Sequence, residues 1–364
     1  MNKLSEMQAE AVGMITDWIN LPSHQIFRLF GYAGTGKTTT IAAAVNNLNL
    51  KVAYIAYTGK AASVMRNNGL PAQTLHNLIY RFDSEDKKTK ELRFSLNPES
   101  LAKTVDLIVV DECSMVGEPT ARDLLSFGTP VLAIGDPAQL PPVKGAGYFT
   151  DATPDALLSE VHRQALDSPV LKMATQTRHR EPLVRGKYGD SEVTLGADMD
   201  EDRLWSADQV LVGTNATRKR LNRRARSHFN VQGQYPQFGE KVVCLRNNYQ
   251  LGILNGEMFN VMECEEIGSK TLGMKLYNAE DGRSVEVPVH KHFFDGRAAQ
   301  DWELMQSAHL DFGYALTVHK SQGSQWNDVV VVDESTVFRD NSWRWLYTGI
   351  TRAAKRVTVL RGKV

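Results

Sequence analysis

The residues of this chain best fitted to chemistry begin at Gly31-Tyr-Ala-Gly34-Thr35-Gly36-Lys37-Thr38, which has the spacing G-x-x-x-x-G-K-[ST]. Glycines at these places let backbone N–H groups face a polyphosphate, the lysine reaches its β and γ oxygens, and the next hydroxyl can ligate Mg²⁺. Thr39 opens the helix-like run that follows, so the anion also meets a helix N-terminus. ATP and Mg²⁺ are the cofactors implied. Asp111-Glu112 follows an apolar run at residues 107–110, which places two carboxylates where the ligands of parallel sheets bind. Asp111 would join Thr38 on the Mg²⁺, and Glu112 would orient and deprotonate an attacking water. That division of labour suits hydrolysis, because transfer to another acceptor would need an acceptor pocket instead.

Such groups need a sheet behind them. Short β-branched or aromatic runs at 26–30, 52–57, 107–110 and 131–134 alternate with helix-like segments, and a second series stands at 210–213, 315–318, 329–332 and 357–360. The alternation predicts α/β architecture, two parallel-sheet lobes with a cleft between them. Expected boundaries are 1–165 and 166–364. Between 238 and 294 the pattern changes to short alternating strands separated by Gly and Asn turns, read as a small SH3-like all-β insertion. The polar stretch 81–104 fits a hairpin inserted in the first lobe.

Lys plus Arg and Asp plus Glu both number 42, so no global field draws the chain to nucleic acid and any basic surface is local. Cys113, Cys244 and Cys264 have no metal-ligand spacing and no even pairing, which points to a reducing compartment. The N-terminus lacks a signal-peptide core and no apolar run is long enough to span a bilayer, so the expectation is a cytoplasmic protein without a membrane partner. His290-x-His292 lacks further ligands nearby and is not read as a metal site.

In order along the chain stand Gln8, the phosphate loop, Tyr57-Thr-Gly-Lys-Ala-Ala, Thr74-Leu-His76, Asp111-Glu-Cys-Ser-Met, Gly135-Asp-Pro-Ala-Gln-Leu-Pro-Pro142, Leu158-Ser-Glu-Val-His-Arg163, Val318-His-Lys-Ser-Gln-Gly323 and Tyr347-Thr-Gly-Ile-Thr-Arg352. This series resembles superfamily 1 helicases, and within them the 5′-to-3′ RecD-like (Dda-like) branch, superfamily 1B. The resemblance implies two RecA-like lobes and an ATP-dependent DNA helicase of replication, repair or recombination, working as a monomer in a bacterial or phage-infected cell. Single-stranded DNA and its junctions with duplex are the implied partners, with a single-strand-binding protein or replisome component beside them. It also implies roles: Gln8 reads adenine, Gln139 senses the γ-phosphate, Arg163 and Arg352 reach that phosphate from the second lobe, and Gly323 belongs to the nucleotide set.

Thr58, Lys60, Thr74, His76, Pro141, Pro142, Thr317, His319 and Lys320 match the branch's strand path. Hydroxyl and ammonium donors there would bind phosphates without reading sequence. His76 reads equally well as a structural histidine. The basic run 218–226 spreads round a helix and is read as a solvated face before a nucleic-acid patch. Phe94 in the expected hairpin has two readings, a pin that stacks on the last base pair and an inward anchor. A clamp that binds single strands without unwinding would share every ATP residue.

Overall fold

The computed structural model describes residues 4–45, 48–67, 69–85, 92–142, 147–160, 167–248, 250–300, 303–304 and 307–362. The first-lobe strands are β1 (Ile26–Gly31), β2 (Val52–Ala56) and β3 (Ala72–Thr74), then β4 (Tyr80–Glu85) and β5 (Leu92–Leu96), then β6 (Leu107–Asp111), β7 (Val131–Gly135) and β8 (Ala156–Leu158). Six of them form a parallel sheet ordered β3-β2-β6-β7-β1-β8, and β4-β5 stand apart as an antiparallel hairpin. Successive residues of β6 explain why this sheet is covered on both sides: Leu107 and Val109 enter one apolar cluster, Ile108 and Val110 the other. A period of two with residues 107–110 all apolar leaves no face for water there.

The second lobe repeats the plan. Its strands are β9 (Gly186–Tyr188), β10 (Ser191–Leu195), β11 (Gln209–Val212), β17 (Ala315–Thr317), β18 (Trp326–Val332) and β19 (Ala353–Arg361), in the order β17-β11-β18-β19-β10-β9, with only β9 antiparallel to its neighbour. Val329 and Val331 of β18 face one core while Val330 and Val332 face the other.

The all-β segment fills the gap in that numbering with β12 (Lys241–Cys244), β13 (Met258–Glu266), β14 (Thr271–Tyr277), β15 (Ser284–His290) and β16 (Leu310–Phe312). They make one antiparallel sheet, β15-β14-β13-β12-β16. It therefore runs to Phe312 and not to 294, because β16 returns to pair with β12. The expected division at 165/166 falls in 161–166, outside the described residues.

The helix Ser342–Ile350 positions the site. Its last six residues, Trp345 through Ile350, are all buried. A helix buried all round packs on two partners, and here one is its own sheet and the other is the loop after β7 in the first lobe.

Candidate active site

The phosphate loop leaves β1 at Gly31 and enters the helix Lys37–Val45. Gly34 (φ 78°) and Gly36 (φ 76°) adopt left-handed backbone that a side chain would strain. Lys37 Nζ donates to the loop carbonyls of Gly31 (2.8 Å) and Tyr32 (3.2 Å). The Thr35 hydroxyl donates to the Tyr32 carbonyl at 2.9 Å, and the residue is buried. Thr38 and Thr39 are exposed at the helix start. Thr38, Asp111, Glu112 and Gly323 line one cavity, so the two residues expected on Mg²⁺ and the expected base do converge.

Gln8 sits on the helix Glu6–Asn20. Its Oε1 accepts from the Ser5 backbone N–H (3.0 Å), and Ser5 Oγ accepts from the Gln8 N–H (3.2 Å), a reciprocal cap legible in the spacing Ser5-x-x-Gln8. Gln8 Nε2 donates to the Thr35 carbonyl at 3.1 Å. The helix is thus tied to the phosphate loop through one buried amide.

Burial, and then the neighbouring Glu112 carboxylate, raises the Asp111 carboxyl to about 6. The Asp111 carboxylate and the Thr38 hydroxyl, which line that cavity together, are oxygen donors of the kind a hard divalent cation takes. Glu112 holds a left-handed backbone (φ 52°, ψ 41°), one of the few non-glycine residues here with positive φ. Strain of this kind persists where the surroundings enforce it, often at active sites.

Across the cleft, Arg352 is buried and donates to the Thr348 carbonyl (3.1 Å), the Ser324 carbonyl (3.2 Å) and Thr351 Oγ1 (3.3 Å). Among the described residues it has no carboxylate within ion-pair distance. A buried guanidinium without a counter-charge is costly, and its position suits an anionic ligand. Gln139 lies between the two lobes' groups. In the amide orientation that satisfies both neighbours, its nitrogen donates to Glu112 Oε2 and its oxygen accepts from Arg352 Nη2, each at 3.2 Å. Glu112, Gln139 and Arg352 are thereby connected side chain to side chain. Arg163 lies outside the described residues.

Several residues joined here were given no role in the sequence, although most lie within the motifs named above. The Tyr347 hydroxyl donates to Asp136 Oδ2 (2.6 Å) and accepts from the Ala33 N–H (3.0 Å). Arg344 donates to the carbonyls of Pro137 and Gln139, Thr348 Oγ1 accepts from the Leu140 N–H (2.9 Å), and Gln322 donates to the Leu140 carbonyl (2.9 Å). The Arg178 guanidinium stacks on the Tyr32 ring, 3.7 Å from its centroid.

The expected strand residues have other surroundings. Lys60 is buried and ion-paired with Glu280, from the turn between β14 and β15. Burial pulls its ammonium down to about 8, against the opposing pull of Glu257 and Asp281. His76 sits between the rings of Tyr57 and Tyr80, 5.6 Å from each, and burial lowers its pKa. His319 packs on Phe338, and burial lowers both its pKa and that of Lys320. Thr58 Oγ1 accepts from the Ala61 N–H, Thr74 Oγ1 from Asn77 N–H, and Thr317 Oγ1 from Lys320 N–H. Pro141 and Pro142 are half-buried at the end of the loop that carries Gln139. At Gly323 (φ +75°) a Cβ would stand 2.9 Å from Thr58 Oγ1, so glycine lets the two lobes touch there. Phe94 pairs with Phe82 in the hairpin register and is 53% exposed. In the basic run, Arg218 and Arg226 are held by Asp311 and Glu240 with little exposure, so this helix is bonded inward there and is not simply a solvated face.

A profile of the AAA domain family matches residues 3–193, and one of the UvrD-like helicase C-terminal domain matches 312–360. The chain belongs to the AAA domain family, and its relatives support a superfamily 1B, RecD-like helicase. It is 29% identical to the ATP-dependent RecD2 DNA helicase of Deinococcus radiodurans across 97% of this chain and 48% of that protein. With the RecBCD enzyme subunit RecD of Mycolicibacterium smegmatis it shares 26% identity, covering 91% of this chain and 67% of that one. The chain thus spans about half the length of the RecD2 relative. In fold it matches the Bacteroides Pif1 helicase in complex with ADP-AlF3 and ssDNA (TM-score 0.59, 17% identity, 98% of this chain and 92% of that one). The Candida albicans Pif1 helicase aligns with TM-score 0.56 at 20% identity over 100% of this chain and 95% of that one. No helix among the described residues is long and apolar enough to cross a membrane.

Proposed function

We propose that this chain is an ATP-dependent DNA helicase that moves 5′ to 3′ on single-stranded DNA and separates duplex strands. The observation that carries the reading is the Glu112–Gln139–Arg352 bridge, which divides the hydrolytic apparatus between two lobes. An ATPase needing no movement could keep these groups on one sheet. Dividing them makes hydrolysis depend on how the lobes sit, and a strand bound across both lobes controls that.

Within the site, loop amides and Lys37 hold the phosphates, and Lys37 reaches them by leaving the Gly31 and Tyr32 carbonyls. Thr38 and Asp111 would hold Mg²⁺, which supplies charge neutralisation on the phosphate oxygens. Glu112 orients the attacking water and accepts its proton, and Gln139 senses the γ-phosphate. Arg352 stabilises charge developing on the transferred group, an effect of about 10³ to 10⁵ in related systems. Gln8 contacts the adenine edge, and Arg163 is a second arginine for the γ-phosphate. Thr58, Lys60, Thr74, His76, Pro141, Pro142, Thr317, His319 and Lys320 line the strand, with Lys60 exchanging Glu280 for a phosphate. Phe94, midway along the hairpin opposite Phe82, stacks at the junction, a reading its exposure favours over the inward anchor.

The direct test is unwinding of duplexes with a 5′ or a 3′ single-stranded tail, with and without ATP. Unwinding from the 5′ tail alone supports the reading. Preference for 3′ tails overturns the polarity, and strand-stimulated ATP turnover without unwinding selects the clamp instead.

A further inference from the structure

One hydroxyl connects the two lobes at the phosphate loop itself. Tyr347 is 1% exposed, and its OH both donates to Asp136 and accepts from the Ala33 N–H. Asp136 Oδ1 accepts from the Ala138 N–H at 2.9 Å, which shapes the turn leading to Gln139. Arg344 and Thr348, one turn back and one residue on, take hold of the same loop at Pro137, Gln139 and Leu140. Thus a single helix face of the second lobe sets the loop that places Gln139 between Glu112 and Arg352.

We infer that Tyr347 is a positioning residue for ATP hydrolysis, whose hydroxyl registers lobe closure by fixing the Ala33 amide and Asp136 together. When the lobes part, the phenol leaves both groups at once, because it belongs to the second lobe and they belong to the first. The phosphate loop then loses its fixed amide and Gln139 its fixed turn. A phenylalanine would fill the same space and offer neither donor nor acceptor, leaving the half-buried Ala33 N–H and a buried Asp136 carboxylate oxygen without this partner. The inference rests on the hydrolytic reading of Glu112, Gln139 and Arg352 given above. The competing account is that Tyr347 is only a core ring, since it also packs in the second lobe's apolar cluster.

The test compares wild type, Tyr347→Phe, Asp136→Asn and the double variant in steady-state ATP turnover, with and without saturating oligo(dT), alongside thermal unfolding and equilibrium binding of a fluorescent ATP analogue. The expected result for Tyr347→Phe is a roughly tenfold lower strand-saturated kcat, with KM for ATP and analogue affinity changed less than about twofold. Asp136→Asn should reproduce that split, and the double variant should be no worse than the poorer single one, because both remove the same link. Wild-type kcat in Tyr347→Phe, with or without a lower Tm, overturns the inference. So does a loss confined to KM, or effects of the two substitutions that multiply. Should wild type show no stimulation by the strand, the motor reading fails by itself, and kcat without DNA still decides whether the hydroxyl positions Gln139.

Discussion

On the nucleotide side of the cleft the reactive groups hold one another: Glu112 to Gln139, Gln139 to Arg352, Asp136 to Tyr347. On the side where we place the strand, the cation best placed for a phosphate is already paired, Lys60 with Glu280, while His76 lies between two aromatic rings and His319 against one, and burial lowers the pKa of both. The first region is preorganised for charge that develops in a transition state. In the proposed reading the second would bind by exchanging an internal carboxylate for an external anion, which limits affinity and permits release. A motor requires that asymmetry, since its nucleotide chemistry must be exact in geometry while its grip on the strand must be given up at each step.

The largest effects should separate roles within the nucleotide side. Lys37→Ala should abolish hydrolysis and weaken nucleotide binding. Glu112→Gln and Arg352→Ala should keep nucleotide affinity while turnover falls by about 10³ or more. Equally weak binding of a fluorescent ATP analogue by all three variants would break the assignment. Next in size is the hairpin. Base stacking on an aromatic side chain is worth about 1 to 3 kcal/mol, so Phe94→Ala should lower unwinding by about tenfold while strand-stimulated ATP turnover persists. A parallel fall in turnover and Tm would make Phe94 an anchor.

Smaller shifts belong to the strand side. Glu280→Gln removes the internal competitor for Lys60, so oligo(dT) affinity by fluorescence anisotropy should rise about threefold at low salt, with a steeper salt dependence. Unchanged affinity would show that Lys60 does not face the strand. Lys60→Met gives the smallest change and one with a defined sign. The folded ammonium is lowered from 10.5 to about 8, so its charge is present below pH 8 and lost as pH rises through it. Because the folded value lies below the unfolded one, the charged form costs stability at neutral pH. Lys60→Met should therefore raise Tm near pH 7, and that gain should shrink as pH approaches 10.5. Its strand affinity should be lower than wild type at pH 7 and converge with it above pH 8.

Which parts were legible in the sequence follows from how local they are. The phosphate loop and Asp111-Glu112 are short segments whose glycines, lysine and carboxylates act through backbone geometry next to a strand, so spacing alone reveals them. The buried valine runs of β6 and β18 announced two parallel sheets for the same reason. Among the strands of three residues, β3, β8 and β16 carry no period and escaped notice. So did the Tyr347–Asp136 bond, whose partners lie 211 positions apart and are joined only by the docking of two lobes. The arginines at 218 and 226 looked like surface charge because nothing nearby in sequence announces Asp311 and Glu240. Gln8 was placed by resemblance, although its cap with Ser5 was open to a direct reading.

The central claim is that hydrolysis is completed across the cleft when a strand holds the lobes together. Steady-state ATP turnover of the wild-type chain against rising oligo(dT) concentration tests it most directly. The account predicts a saturable rise of at least about tenfold, since closure is what aligns Glu112, Gln139 and Arg352; equal turnover without DNA and at saturation would contradict it.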